Sequence, residues 1–411
     1  MAKKLMTKGQ IVPFLIMGLY FFTLFLGQAQ AEDTINIIQL DPLSGPFKET
    51  GDRAVMGSQF AVDEINAAGG LLGRKVRLIA EDSQLKPDVA QRKAEKAIMQ
   101  GDAKFMFQTA STAVARALMD VAEKHRAIFV TYGALSDYLT GKEFNPYFFR
   151  TVHTTSNLSR TFTEYLKTKP WRKIYLINMD YAYGHAVAED FKEVVKREIP
   201  DVKILGEDYH PLATKDFGPY ISKILASGAE IIHTGNWGTD MEVLMKQGAQ
   251  MGVKARYATY LLDDDSLCAN VGNAAIGSLV ASIYLPTLET KENKNFIEGW
   301  HRKYKDSRHP WPTYVAGFAY NGTRWFFEAI KKAQSLDVES IIKAWEGMKY
   351  NGLIGEQVMR VCDHQALQAG MVAEVQAKSE LFNFPFPGKP TFIPMEKVIV
   401  PPGETGNPRC R

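Results

Sequence analysis

Two doubly wound α/β lobes are the fold class this sequence predicts, on three observations. Short β-branched or aromatic runs alternate with longer amphipathic stretches, and the alternation occurs in two successive series of similar size. Strands separated by helices form parallel sheets covered by those helices. The chain has 411 residues, more than one small module needs at about 100–200 residues per domain. With 45% hydrophobic and 23% charged residues, it lies in the globular range and can bury a core.

The first series opens with an Ile-rich strand at 35–40 and a helical tract over about 51–68 that stops at Asn66-Ala67-Ala68-Gly69-Gly70, a helix-terminating run. It continues as strand 75–80, helix 87–99, strand 105–107, helix 111–125 and strand 128–131. After a junction near Phe149-Arg150-Thr151 the second series runs helix 155–167, strand 173–178, helix 185–197, strand 203–209, helix 217–226, strand 230–234, helix 239–251 and strand 256–260. Helices at 295–305, 314–334 and 338–348 and strands at 357–361 and 371–375 follow. They are too few for a third lobe, so they are expected to complete the first two, with more than one chain crossing and therefore a hinge. From about Asn383 the Pro- and Gly-rich tail is expected to run irregularly over the surface.

Lys3, Lys4 and Lys8 precede an apolar run at 11–26 and the small residues Ala29 and Ala31, the pattern of a secretory signal peptide cut after Ala31. The alternative is an uncleaved anchor, for which 16 residues are short of the ~20 a span needs. Of the 49 basic residues, the 46 outside this leader match the 46 acidic residues, so nothing favours nucleic acid, whose partners carry a clustered basic excess. The 314–334 tract is interrupted by Asn321, Arg324 and Glu328 and does not read as a membrane span. Three cysteines suit an exported chain with at most one internal disulfide. Cys362 with Cys410 is the expected pair, since it would tie down the tail; the alternative is three unpaired thiols.

In open α/β sheets ligands bind beyond the carboxyl ends of the strands. In the first series those positions hold Asp41 to Phe47 with Thr50, then Gln108-Thr109-Ala110-Ser111-Thr112, then Tyr132-Gly133-Ala134-Leu135-Ser136. In the second they hold Met179 to Gly184, Gly235-Asn236-Trp237-Gly238 and Leu261-Leu262-Asp263-Asp264-Asp265. One half offers small hydroxyls and the other aromatics. Ser111 and Thr112 at a helix start suit a carboxylate or an ordinary N-cap. Tyr183 and Trp237 suit a ligand lid or plain packing between lobes. Asp263 to Asp265 suit an ammonium partner, a metal or a helix cap. Catalytic patterns are thin: there is no G-x-S-x-G, Walker A, H-E-x-x-H or C-x-x-C, and His185 reads as a surface or capping residue.

The chain resembles the periplasmic solute-binding proteins of ABC transporters, of the branched-chain amino acid (Leu/Ile/Val) type. The resemblance rests on Pro42-Leu43-Ser44-Gly45-Pro46 with Gly51, on Ala61-Val62-Asp63-Glu64-Ile65-Asn66-Ala67-Ala68-Gly69-Gly70-Leu71-Leu72-Gly73-Arg74-Lys75, on Glu81-Asp82-Ser83, on Tyr183-Gly184 and on Asp363-His364-Gln365. It implies the type I fold, two α/β lobes joined by a three-crossover hinge that close on a ligand. Lobe 1 is then 32–151 plus 283–350, lobe 2 is 152–282 plus 351–382, and 383–411 is the tail. It also implies that Thr109, Ser111, Thr112, Gly133 and Ser136 hold a carboxylate, that Tyr183 and Trp237 reach the ligand from the other lobe, and that Thr50 occupies a place where relatives put an aromatic.

Two positions depart from the amino-acid-binding pattern. Counting without gaps, Leu261 stands where such members carry the acid that pairs with the ammonium, so Asp263 serves only if the loop shifts by two residues. Leu135 likewise replaces a hydroxyl residue. The expected function is therefore capture of a small organic ligand, an amino acid, an amide or an organic or aromatic carboxylate, by a monomer in the periplasm that delivers it to a membrane permease. No catalysis, cofactor or metal is implied. A ligand sensor for a membrane receptor and an exported hydrolase are the alternatives.

Overall fold

The computed structural model describes residues 34–101 and 103–411, so the expected leader and its cleavage point lie outside the described residues. The first sheet is built from β1 (Ile35–Asp41), β2 (Val76–Asp82), β3 (Phe105–Gln108), β4 (Ile128–Thr131) and β5 (Phe148–Arg150), separated by α1 (Lys48–Ala67), α2 (Pro87–Met99) and α3 (Thr112–His125). Its order is β2-β1-β3-β4-β5 and every pairing is parallel, with Ile37 opposite both Leu78 and Phe105. β3, β4 and β5 are buried at every residue, as strands covered on both faces must be. β5 extends the sheet beyond the strands expected from periodicity; at three residues it is too short to show a pattern.

The Asn66 to Arg74 motif is a tight return from α1 into β2. Gly69 and Gly70 adopt φ of 100° and 86°, conformations natural only to glycine, and a Cβ on Gly70 would collide with the Arg74 carbonyl. Leu71 and Arg74 exchange backbone hydrogen bonds of 2.8 and 2.9 Å. The Asn66 amide bonds both N–H and C=O of Val76 at 2.8 Å, fixing where β2 begins.

The second unit contains α4 (Thr155–Leu166), β6 (Lys173–Met179), α5 (Ala182–Glu198), β7 (Lys203–His210), α6 (Gly218–Ser227), β8 (Ile231–Thr234), α7 (Gly238–Gln250), β9 (Arg256–Thr259), α8 (Asp265–Val271) and β10 (Leu279–Val280). The chain then returns through α9 (Lys291–Tyr304), α10 (Tyr314–Ala333) and α11 (Val338–Trp345). α10 sets Phe326 edge-on to Phe105 and Phe107 (5.2 and 5.5 Å) and α11 stacks Trp345 on Phe149 (4.3 Å), closing the core of the first sheet. β11 (Lys349–Gly352), β12 (Gly355–Met359) and β13 (Ala366–Leu367) make a small antiparallel sheet of their own. β14 (Gly370–Gln376) re-enters the second sheet antiparallel to β10, giving β15-β14-β10-β9-β8-β6-β7, where β15 is Phe386–Pro387. The stretch 351–382, expected to belong wholly to lobe 2, is thus divided between two sheets.

Three crossings link the units, at 151–154, 281–290 and 368–369. Buried side chains around the first and third crossings meet backbone carbonyls in and beside them, as backbone in a dry interior requires. Arg150 donates to the carbonyls of Ala134 (3.0 Å) and Ser136 (2.8 Å) and to Gln365 (2.6 Å); Gln365 reaches the Val152 carbonyl at 2.6 Å; His153 bonds the Ala369 carbonyl at 3.1 Å.

The tail departs from the irregular path expected of it. β15 and β16 (Thr391–Ile393) both pair with β14, and α12 (Met395–Val398) lies against α4. The free edges of β14 supply the partners that Pro/Gly composition does not advertise, and Pro387 sits where an outer strand needs no ladder donor. Farther on, Val400 N–H donates to Asn157 (3.0 Å) on α4, Asn407 donates to the Thr140 carbonyl (3.0 Å) beside the first sheet, and Arg409 reaches Glu346 (3.1 Å). A Cys362–Cys410 disulfide closes a separation of 48 residues, and Cys268 is free and buried. No helix among the described residues is long and apolar enough to cross a membrane.

Converting Cys362 and Cys410 to serine should lower the stability by about 2–4 kcal/mol, the magnitude for a loop of this length. Urea unfolding of the parent and the double variant, with and without reductant, checks it: reductant should destabilise the parent and leave the variant unchanged.

Candidate functional site

The carboxyl ends of both parallel sheets open onto one cleft, and a pocket there takes residues from each side. Its wall comprises Thr50, Thr109, Ala110, Ser111, Thr112, Gly133 and Leu135 from the first series, Tyr181, Tyr183, Trp237 and Leu261 from the second, and Ile283, Tyr314, Val315 and Phe318 from the returning segment. The space is about 460 Å³ when the solvent at its open mouth is counted in. Above it Phe47 packs on Trp237 across the cleft, ring centroids 4.3 Å apart.

The polar end is the β3–α3 loop. Asp41, fully buried at the end of β1, accepts the N–H groups of Thr109 (2.9 Å) and Ala110 (3.0 Å) and is itself braced by Gln39 at 2.8 Å. Burial raises its pKa, against the pull of these donors. Held this way, the loop carries Ser111 at φ 83°, a strained conformation for a residue with a side chain. Ser111 is the N-cap of α3, its Oγ accepting from Val114 N–H at 3.3 Å, which leaves the hydroxyl proton free to donate. The first-turn N–H groups of Thr112 and Ala113 lie beyond reach of the helix's own carbonyls, and the positive end of the helix dipole points the same way.

The opposite wall is aromatic. The Trp237 indole donates to Tyr181 Oη at 3.0 Å, so the Tyr181 proton is available to a further acceptor. Tyr183 is buried and its hydroxyl has no hydrogen-bond partner among the described residues. Burial holds both phenols above their ordinary pKa, so they remain neutral donors at neutral pH. Among the described residues of the lining there is no carboxylate, imidazole or amine.

A family model described as periplasmic binding protein matches residues 34–380. The chain belongs to that family. The chain is 28% identical over 367 residues to a Leu/Ile/Val-binding protein homolog of Brucella abortus, with 85% of this chain and 86% of that protein covered. The crystal structure of a leucine-, isoleucine-, valine-, threonine- and alanine-binding protein from Brucella ovis, in a closed conformation, is similar with TM-score 0.79 and 27% identity, covering 90% of this chain and 97% of that one. An R. palustris solute-binding protein solved with 4-hydroxybenzoate shares the fold at TM-score 0.79 and 22% identity, over 87% of this chain and 97% of that one.

Of the positions expected to contact ligand, this periplasmic binding protein brings Thr50, Thr109, Ser111, Thr112, Gly133, Tyr183 and Trp237 into one lining. Two fall outside it. Ser136 is buried behind the wall, its hydroxyl 3.1 Å from Thr112 Oγ1 and its carbonyl taken by Arg150; it braces Thr112. Asp263 is buried with its carboxyl on the Ser282 hydroxyl, and burial raises its pKa well above the carboxylate range. Leu261, and not Asp263, is the residue of the β9–α8 loop that lines the pocket. Asp264 caps α8 through Leu267 N–H at 3.0 Å, and His185 pairs with Asp180 at 2.8 Å on the half-exposed face of α5.

Sequence reasoning missed Tyr181, Tyr314, Val315 and Phe318. Tyr314, Val315 and Phe318 open α10, and their i, i+1, i+4 spacing at a helix start was the available signal, hidden in a tract aromatic along most of its length.

Asp41→Ala should cost roughly 2–4 kcal/mol, because it leaves two buried N–H donors unmet, while Asp41→Asn, which keeps an acceptor, should cost less than half as much. Chemical denaturation of both variants checks the order.

Proposed function

We propose that this protein captures a small carboxylate with an apolar, ring-sized body and no ammonium group, and delivers it as a closed monomer to an ABC transporter permease. The observation that carries the ligand class is the composition of the lining: hydroxyls and an α3 N-terminus at one end, rings and aliphatics elsewhere, and no acid where an ammonium would need one. A carboxylate meets the first-turn N–H groups and the hydroxyls of Ser111 and Thr112. The ring lies among Leu135, Leu261, Ile283, Tyr314 and Phe318, and the free hydroxyl of Tyr183 answers a polar substituent.

Binding between the lobes favours closure because only the closed state offers both sets of contacts. The fold's capacity for such ligands is supported by neighbours described with 4-hydroxybenzoate and 3,4-dihydroxybenzoic acid bound. The names of the Leu/Ile/Val relatives point to amino acids, which here would bury an ammonium without a partner, at a cost of several kcal/mol.

A thermal-shift comparison of benzoate, 4-hydroxybenzoate and leucine tests the class: the two aromatic acids should raise the melting temperature, and a shift with leucine alone overturns the assignment. Trp237→Ala, measured by calorimetry with the better acid, should weaken binding at least tenfold, about 1.4 kcal/mol. An unchanged affinity would displace the site.

A further inference from the structure

Just behind the pocket wall, outside its lining, lies a charge cluster. Arg53 on α1 is fully buried, which a guanidinium tolerates only when paired. Its Nη2 donates to Asp265 and to Ser266 Oγ (3.0 Å), with Asp264 Oδ2 at 3.8 Å. These three residues belong to the β9–α8 segment of the second unit. On its own side Arg53 meets Glu49 (3.3 Å) and Thr313 Oγ1 (3.1 Å), and Thr313 donates in turn to Asp264 at 3.3 Å. The partners lie close in sequence to lining residues: Glu49 precedes Thr50, Thr313 precedes Tyr314, and Asp264 to Ser266, at the start of α8, begin three positions beyond Leu261.

We propose that Arg53 is a closure residue, a latch whose pairing with Asp264 and Asp265 draws three walls of the pocket together. The inference rests on the proposed capture of a ligand between the lobes. The energetics are asymmetric. In an open cleft each charge is hydrated and the lobes are indifferent to it. In the closed cleft Arg53 is fully buried and Asp264 and Asp265 are largely so, which strengthens their attraction. The two Nη groups donate to several oxygens, which offsets the desolvation of the pair. Without Arg53, closure would bury Asp265, and Asp264 in large part, without a cation to pair them, a state that burial penalises. The latch therefore sets how long a ligand stays. Since every partner belongs to the chain, it can form before a ligand arrives.

Two measurements test it on the full mature chain. With benzoate as the probe, Arg53→Gln and, from the opposite lobe, Asp265→Asn should each raise Kd at least tenfold through faster dissociation, while the ligand-free melting temperature stays within two degrees of the parent. Kd values within twofold of the parent overturn the latch, as does an equal loss of ligand-free stability. Independently of any ligand, spin labels at Lys48→Cys and Lys246→Cys, exposed positions on α1 and α7, report the gap between lobes. The ligand-free parent should show a short-distance component that Arg53→Gln loses; its absence from the parent, or its retention in the variant, overturns the latch. A parent that ignores benzoate but shows this loss refutes the ligand class and leaves the latch standing.

Discussion

One buried carboxylate decides the shape of the polar end of the cleft. Asp41 terminates the first strand and takes up the N–H groups of Thr109 and Ala110, and that bond pair forces the loop between β3 and α3 to turn early. The early turn puts Ser111 in its strained conformation, leaves the first N–H groups of α3 facing the cleft, and sets the two small hydroxyls beside them. The anion-receptive geometry is therefore held by the fold before any anion is present, the arrangement that spares a ligand the cost of ordering its own site. The parallel sheet supplies the rest, since it delivers the ends of β1, β3 and β4 to the same edge.

Much of this was legible in the sequence because alternation of strand and helix is a strong signal, and because strand-end segments follow from it without further geometry. The hydroxyl-rich segments after β3 and β4, and Tyr183 and Trp237 after β6 and β8, fell into place for that reason. What was not legible depends on direction, not on position. Asp263 stands in the right loop yet turns inward to Ser282, and Ser136 follows the right strand yet stops one layer short. Side-chain orientation in an irregular loop has no period to read. Tyr314 and Phe318 were obscured for another reason: α10 is buried along most of its length, so its cleft-facing residues share the composition of its core-facing ones.

The pairing of Leu135 and Leu261 in the lining has a common consequence. Both line the pocket at positions where the resemblance implies polar groups, and as leucines they add apolar surface and no hydrogen-bonding partner.

The tail has a consequence for the order of assembly. Cys410 follows every strand and helix described, and its partner Cys362 sits in the turn between the strands of the small antiparallel sheet. The bond can close only after Cys410 has been synthesised, when every strand of both sheets is already in the chain. The covalent link is therefore a late addition, fastening the returning tail to the turn of the small sheet in a chain whose strands and helices are already made.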